Sequence, residues 1–282
     1  MKIGIVTDSA CDLSKERQME LNIKVIPLKV IFSDKEYRDG VDLKNEEFFL
    51  KLIENQEFPH TSQITPFEYE EVFDDLLKEY DEIICITLSK KLSGCFQSAT
   101  IAAKEFGDRV HIVDSENVCI GEGILIELCC SLRNLKKSCE EIVGILNEKK
   151  KNIRVLALLD TLEYLKKGGR INAATAFIGN MLAIKPVISV EDGRIKLKGK
   201  ARGSKNGGNK LREYILSGNG IDFNFPTSLA YSGLSDTLLL KYLCDHSDLY
   251  GNHKIPVYCI GSTIGAHVGP GAIAVAFFEK WE

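Results

Sequence analysis

Glu82-Ile83-Ile84-Cys85-Ile86-Thr87-Leu88-Ser89-Lys90-Lys91-Leu92-Ser93-Gly94-Cys95-Phe96-Gln97-Ser98-Ala99 is the stretch on which the fold turns. Residues 82–88 form a short apolar run rich in isoleucine, the signature of a buried strand. After a polar loop, Phe96, Ala99 and Ala103 recur at helical spacing, which predicts a helix over 93–106. Upstream, residues 3–7 read as a strand ending in Thr7-Asp8-Ser9, followed by a helix at 14–21, an extended segment at 24–32, a polar, turn-rich segment at 34–42 and a helix at 45–55. Thr65-Pro66-Phe67-Glu68 combines a capping threonine, a proline at the first helical position and a glutamate that can close a capping box, so a helix runs from there to about Tyr80. Downstream, a strand at 110–113 ends in Asp114-Ser115 and leads into a helix at 121–133. Strands separated by helices imply a parallel sheet with right-handed crossovers, and ligands of such sheets sit at the carboxyl ends of the strands. Three of those ends carry small polar residues: Thr7-Asp8-Ser9, the loop at 88–93 and Asp114-Ser115.

Glu148-Lys149-Lys150-Lys151 interrupts the periodicity before the strand-like Val155-Leu156-Ala157-Leu158-Leu159. The boundary is therefore set there, giving an N-terminal α/β domain at 1–152 and a C-terminal α/β domain at 153–282. In the second, a helical stretch spans 173–184, and Asp192-Gly193 between two alternating runs is a hairpin signal. Helices are expected near 209–216 and 235–244, and strands near 228–231 and 257–260. Gly203-Ser204-Lys205-Asn206-Gly207-Gly208-Asn209 reads as a flexible loop.

A chain of 282 residues suits two domains. Its 44% hydrophobic and 27% charged residues, with 36 basic against 40 acidic groups, are those of an ordinary globular protein. The net charge of -4 argues against a nucleic-acid binder. Met1-Lys2 runs straight into a strand with no signal-peptide core, and no apolar run is long enough for a membrane span, so a cytoplasmic protein is expected, with at most transient membrane contact. Nine cysteines without paired spacing read as small buried hydrophobes of a reducing compartment rather than as zinc ligands.

Chemistry-bearing groups concentrate in a few places. Residues 261–272 place four glycines and a proline around His267, with Ser262 and Thr263 as further donors. Such a glycine-rich loop lets backbone approach a ligand closely. Ser93 and Gly94 stand where a strand hands over to a helix, so an anion would meet the free amides and the positive dipole end there. Ser93 is equally suited to be a simple N-cap. Thr61 and Ser62 lie in a polar loop just before the Thr65 capping box. His267 can donate to an anion, and an adjacent carboxylate would favour its charged form. Arg170, after Gly168-Gly169, suits a carboxylate or phosphate contact, a helix cap or a salt bridge. Lys196, Lys198, Lys200, Arg202, Lys205 and Lys210 form a basic stretch in an acidic chain.

Thr7-Asp8-Ser9, Thr61-Ser62-Gln63, Leu92-Ser93-Gly94, the run from Asp160 through Gly168-Gly169-Arg170-Ile171, and the glycine-histidine segment occur in an order that resembles the DegV family over nearly the whole chain. The resemblance implies a two-domain α/β protein that binds one long-chain fatty acid, its carboxylate at the domain junction and its tail buried. It implies Thr61 and Ser93 hydroxyls on the carboxylate, with Ser62, Gly94, His267 and Arg170 around them. It further implies that members of the fatty acid kinase B type present that carboxylate to a separate kinase subunit. Arg202 matches an arginine at that contact, and ATP and metal belong to the kinase, so this chain needs no cofactor of its own. Gly203 stands where threonine is common, Cys95-Phe96 where Thr-Tyr is typical, and Ala274 where glycine is common.

Fatty-acid binding is physically reasonable. Burying a methylene is worth about 0.8 kcal/mol, so a tail of roughly sixteen carbons offers on the order of ten kcal/mol before ordering costs. Residues 83–88, 124–128, 177–184 and 272–278 are apolar segments available to line a tunnel. A carboxylate at its mouth has to be hydrogen-bonded. No nucleophile sits beside a base in sequence, so catalysis by the chain alone is not expected. The alternatives are a hydrolase or acyltransferase using Ser93 with His267, and a lipid carrier or sensor without a kinase.

Overall fold

The computed structural model describes residues 2–33, 35–54, 58–171 and 183–280. Its first sheet is four-stranded and wholly parallel, in the order Lys24–Ile26, Ile3–Asp8, Glu82–Thr87, Val110–Asp114. Every residue of Ile3–Asp8 is buried, as is all of Glu82–Thr87 after its first residue. That is why the isoleucine run does not alternate: helices cover both faces of a parallel sheet. Helix Cys95–Ala103 follows Glu82–Thr87 as expected, and helix Pro66–Leu76 opens with the Thr65 capping box, Thr65 Oγ1 accepting from Glu68 N and Glu68 Oε2 from Thr65 N.

The second sheet has six strands, in the order Arg194–Arg202, Ile184–Glu191, Ile153–Leu158, Ile273–Phe278, Ser228–Tyr231, Val257–Cys259, and only its last pair is parallel. Asp192 and Gly193, with φ of 49° and 71°, make the tight hairpin turn; two consecutive positive φ values match the twist of the strands they join. Ser89 Oγ donates to Gly193 O, and a Cβ on Gly193 would lie 2.3 Å from that oxygen, so the hairpin tip docks on the loop that follows Glu82–Thr87.

Helix Ile120–Asn134 lies between the two sheets and contacts both. It is buried around nearly its whole circumference, from Ile120 to Leu132, and one continuous apolar core joins Ile5, Ile84 and Ile124 to Val155, Ile188 and Ala274. A helix covered on all sides is mostly apolar; the two buried carboxyls of this one have partners, Glu122 Oε1 accepting from Thr7 Oγ1 and Glu127 Oε1 from Arg17 Nε.

Several local expectations are corrected. The segment at 34–42 contains strand Lys35–Arg38, and Thr61 and Ser62 lie in strand His60–Ser62 rather than a loop; both flank Lys29–Phe32 in a small antiparallel sheet. The expected flexible loop at 203–209 is the first half of helix Gly203–Ser217. Its glycines serve packing: a Cβ on Gly207 would lie 2.4 Å from Leu158, and one on Gly208 3.2 Å from His246 and Tyr242. The helix expected at 173–184 falls outside the described residues up to 182, and Ile184 opens a strand. The glycine-rich segment at 261–272 is mostly helix, Ser262–Val268.

Candidate functional site

Between the carboxyl end of the parallel sheet and the face of the second sheet lies a cavity of about 350 Å³, within the size range of small-molecule sites. Thr61, Ser62, Ser93, Gly94, Arg170 and His267 all line it. The remaining wall is largely aliphatic: Leu28, Leu88, Val118, Val155, Ala157, Ile188, Val190, Ile195, Ala272 and Ala274. Of the apolar segments marked in the sequence, 83–88 contributes Leu88 and 272–278 contributes Ala272 and Ala274. Residues 124–128 belong instead to the packed central helix, and 177–182 lie outside the described residues. Arg202, exposed at the end of its strand, is not on the cavity wall.

The polar wall is held together by direct contacts. Thr61 Oγ1 and His267 Nε2 are 2.9 Å apart. The other imidazole nitrogen faces Gly168, where a Cβ would lie 2.1 Å from it, so only glycine lets the ring sit there. Arg170 donates from Nε to Leu92 O and from Nη1 to Gly168 O, tying the Gly168-Gly169 turn to the loop that presents Ser93. Ser93 Oγ accepts from Cys95 N at 3.3 Å and donates to Cys95 Sγ at 3.2 Å. The N-cap of the helix is Gly94 rather than Ser93, whose contact with Cys95 N is a local turn made while the side chain lines the cavity. Gly94 has to be small, because a Cβ would lie 1.9 Å from Gln63 Oε1. Thr263 Oγ1 also lies on this wall, buried and without a hydrogen-bond partner.

Burial, and secondarily the Arg170 charge, push the His267 pKa down to about 4. The ring is therefore neutral at neutral pH, because burial and the neighbouring guanidinium both disfavour the imidazolium. Desolvation also lowers the pKa of Arg170, which stays a cation. Ser93 and His267 engage Cys95 and Thr61 rather than each other, so they do not form a nucleophile–base pair.

Two residues that sequence reasoning missed position the histidine helix. Gly261 N donates to Asp12 Oδ1 at 2.8 Å, and both Ser262 N and Ser262 Oγ donate to Asp39 Oδ1, at 2.9 and 2.6 Å. The Asp12 and Asp39 side chains thus accept from the first amides of helix Ser262–Val268, which otherwise lack partners within the helix. Ser262, read as a donor for an anion, is used here instead. Burial raises the Asp12 carboxyl to about 8, although Gly261 N donates to it.

The family model for DegV, described as a family of uncharacterised proteins, matches residues 2–280. This chain belongs to the DegV family. A DegV domain-containing protein of Caldanaerobacter subterraneus is 37% identical over 99% of both chains, and one of Clostridium acetobutylicum is 35% identical over 99% of both. Among solved structures, a DegV family protein from Thermus thermophilus described for its fatty acid binding superposes with a TM-score of 0.88 at 32% identity, covering 99% of this chain and 100% of that one. DegV of Bacillus subtilis, described as a fatty acid binding protein, gives 0.85 at 30% identity, covering 99% and 100%. A stearic acid-binding protein from Eubacterium ventriosum gives 0.87 at 27% identity, covering 99% and 98%. The α/β architecture of the DegV chain is shared with these proteins along its length. No described helix is long and apolar enough to cross a membrane.

Proposed function

We propose that this DegV protein binds one long-chain fatty acid in the cavity and presents its carboxylate to a separate kinase subunit, which phosphorylates it to an acyl phosphate for phospholipid synthesis. The division at 152/153 makes the site a junction between two domains. The reading is carried by the cavity itself: Thr61, Ser93, Thr263, His267 and Arg170 gathered on an otherwise largely aliphatic wall. An apolar tail is stabilised by burial, and the acid head needs several hydrogen bonds because an unpaired charge in such a place is costly. With the His267 proton on Nε2 and donated to Thr61, the Thr61 O–H is free to donate to the carboxylate. Ser93 supplies a second hydroxyl, Ser62 and the amides beside Gly94 add polar contacts, and Arg170 contributes positive charge. The fatty acid binding described for the Thermus and Bacillus relatives, and the stearic acid binding described for the Eubacterium one, support the lipid-binding part of this reading.

The chain contributes recognition and orientation; ATP and metal belong to the partner. Arg202, exposed at the end of strand Arg194–Arg202, is the proposed partner contact. Lys196 and Lys198 beside it are paired with Glu191. The test is mass spectrometry of lipid extracted from the purified protein, followed by incubation of the loaded protein with fatty acid kinase and ATP. A single long-chain acid and its acyl phosphate are expected. No bound acid and no uptake of added acid would overturn the binding, whereas bound acid never phosphorylated would leave a carrier without a kinase.

A further inference from the structure

At the other end of the strand that leads to the cavity, Glu82, His111 and Cys139 converge. Their ligand atoms all lie within 4.8 Å of one another, with His111 Nε2 and Glu82 Oε2 3.6 Å apart. They come from three elements: the first residue of Glu82–Thr87, strand Val110–Asp114 and the first residue of helix Cys139–Lys149. We infer that these three side chains form a binding site for one divalent transition cation of the zinc class.

A thiol, an imidazole and a carboxylate are the donor set that such an ion takes. A tetrahedral ion with bonds of about 2.0–2.3 Å spaces its donors about 3.3–3.8 Å apart, so rotamer adjustments of roughly 1 Å close the set. His111 Nε2 is buried and has no hydrogen-bond partner, a costly state that coordination would relieve. The Cys139 thiol is buried, and desolvation, then its hydrogen bond to Glu82, holds its pKa up. On binding, the Sγ–metal bond forms as that proton passes to solvent. Glu82 and His111 are each partly exposed, which leaves a route for the ion and a fourth position for water. None of the three residues lines the lipid cavity. Five rises along the strand, about 3.3 Å each, separate Glu82 from Thr87 at the cavity end. The ion's role is therefore to clamp helix Cys139–Lys149 to the amino end of the parallel sheet. Sequence spacing could not show it, since no two of these ligands are close along the chain.

Chelator-treated protein titrated with Co²⁺ alone tests the site. One equivalent should bind, with the visible absorption of a tetrahedral ion and a thiolate-to-cobalt charge-transfer band, both removed by Zn²⁺. Cys139→Ser should lose the charge-transfer band, and His111→Gln should weaken binding at least tenfold. Zn²⁺ should raise the melting temperature of the wild type and of neither variant. Fatty-acid affinity should be the same in all three proteins, which confirms that the variants are folded. Absence of stoichiometric Co²⁺ uptake by the wild type, or an unchanged band in Cys139→Ser, would overturn the site.

Discussion

The two halves of the cavity wall solve opposite problems. The aliphatic half, Val155, Ala157, Ile188, Val190 and Ala274, comes from adjacent strands of one sheet and gains its energy from area alone. The polar half gathers Thr61 from a small antiparallel sheet, Ser93 from the parallel sheet's loop, Arg170 from a turn and His267 from a short helix. The aliphatic wall tolerates substitutions that keep its volume. The polar cluster depends on positions fixed by glycines and by Asp12 and Asp39, so small changes there have local, specific effects.

The strongest separation of the two halves is by pH. His267 is held neutral with a pKa of about 4, below the 6.5 of an exposed histidine. Its stabilising contribution is therefore present above pH 6.5 and is lost as pH falls toward 4, amounting to about 3 kcal/mol. Unfolding free energies of wild type and His267→Gln should converge by that amount across this window; parallel curves would show that the imidazole is not desolvated. Bound fatty acid should raise the ring's pKa, read by ¹⁵N chemical shifts.

Next in size, Ala274→Leu on the aliphatic wall takes the space of about three methylenes. It should weaken a sixteen-carbon acid by about 2 kcal/mol, roughly thirtyfold, while sparing a short acid. Equal effects on both lengths, measured by calorimetric titration, would remove the tail from this wall. Thr61→Val in the polar cluster should cost about 1 kcal/mol, near fivefold, irrespective of chain length. A length-dependent loss would place Thr61 beside the tail instead. Smallest of all, Arg202→Ala should leave lipid affinity unchanged while reducing phosphorylation by the kinase.

The same contrast explains what the sequence made legible. Strands Ile3–Asp8 and Glu82–Thr87 carry their burial in their own composition, and the Thr65 capping box and the Asp192-Gly193 turn are local signals, so all four could be read directly. Strands Lys35–Arg38 and His60–Ser62 are short and polar, and exist through pairing with Lys29–Phe32. In helix Gly203–Ser217 the glycines signal flexibility locally, but close contact with Leu158 and Tyr242 decides the outcome. The resemblance to a family singled out Thr61, Ser93, Arg170 and His267, and one cavity brings them together. Asp12 and Asp39 stayed hidden because they act on Gly261 and Ser262, more than two hundred residues away.

The central claim is that the polar cluster holds an acid head while the aliphatic wall holds its tail. A crystal structure of the protein grown with palmitate tests it most directly. The expected result is a carboxylate within hydrogen-bond distance of Thr61 and Ser93, with the chain running along Ala157, Val190 and Ala274. A cavity without the acid, or a head group lying among the aliphatic residues, would contradict it.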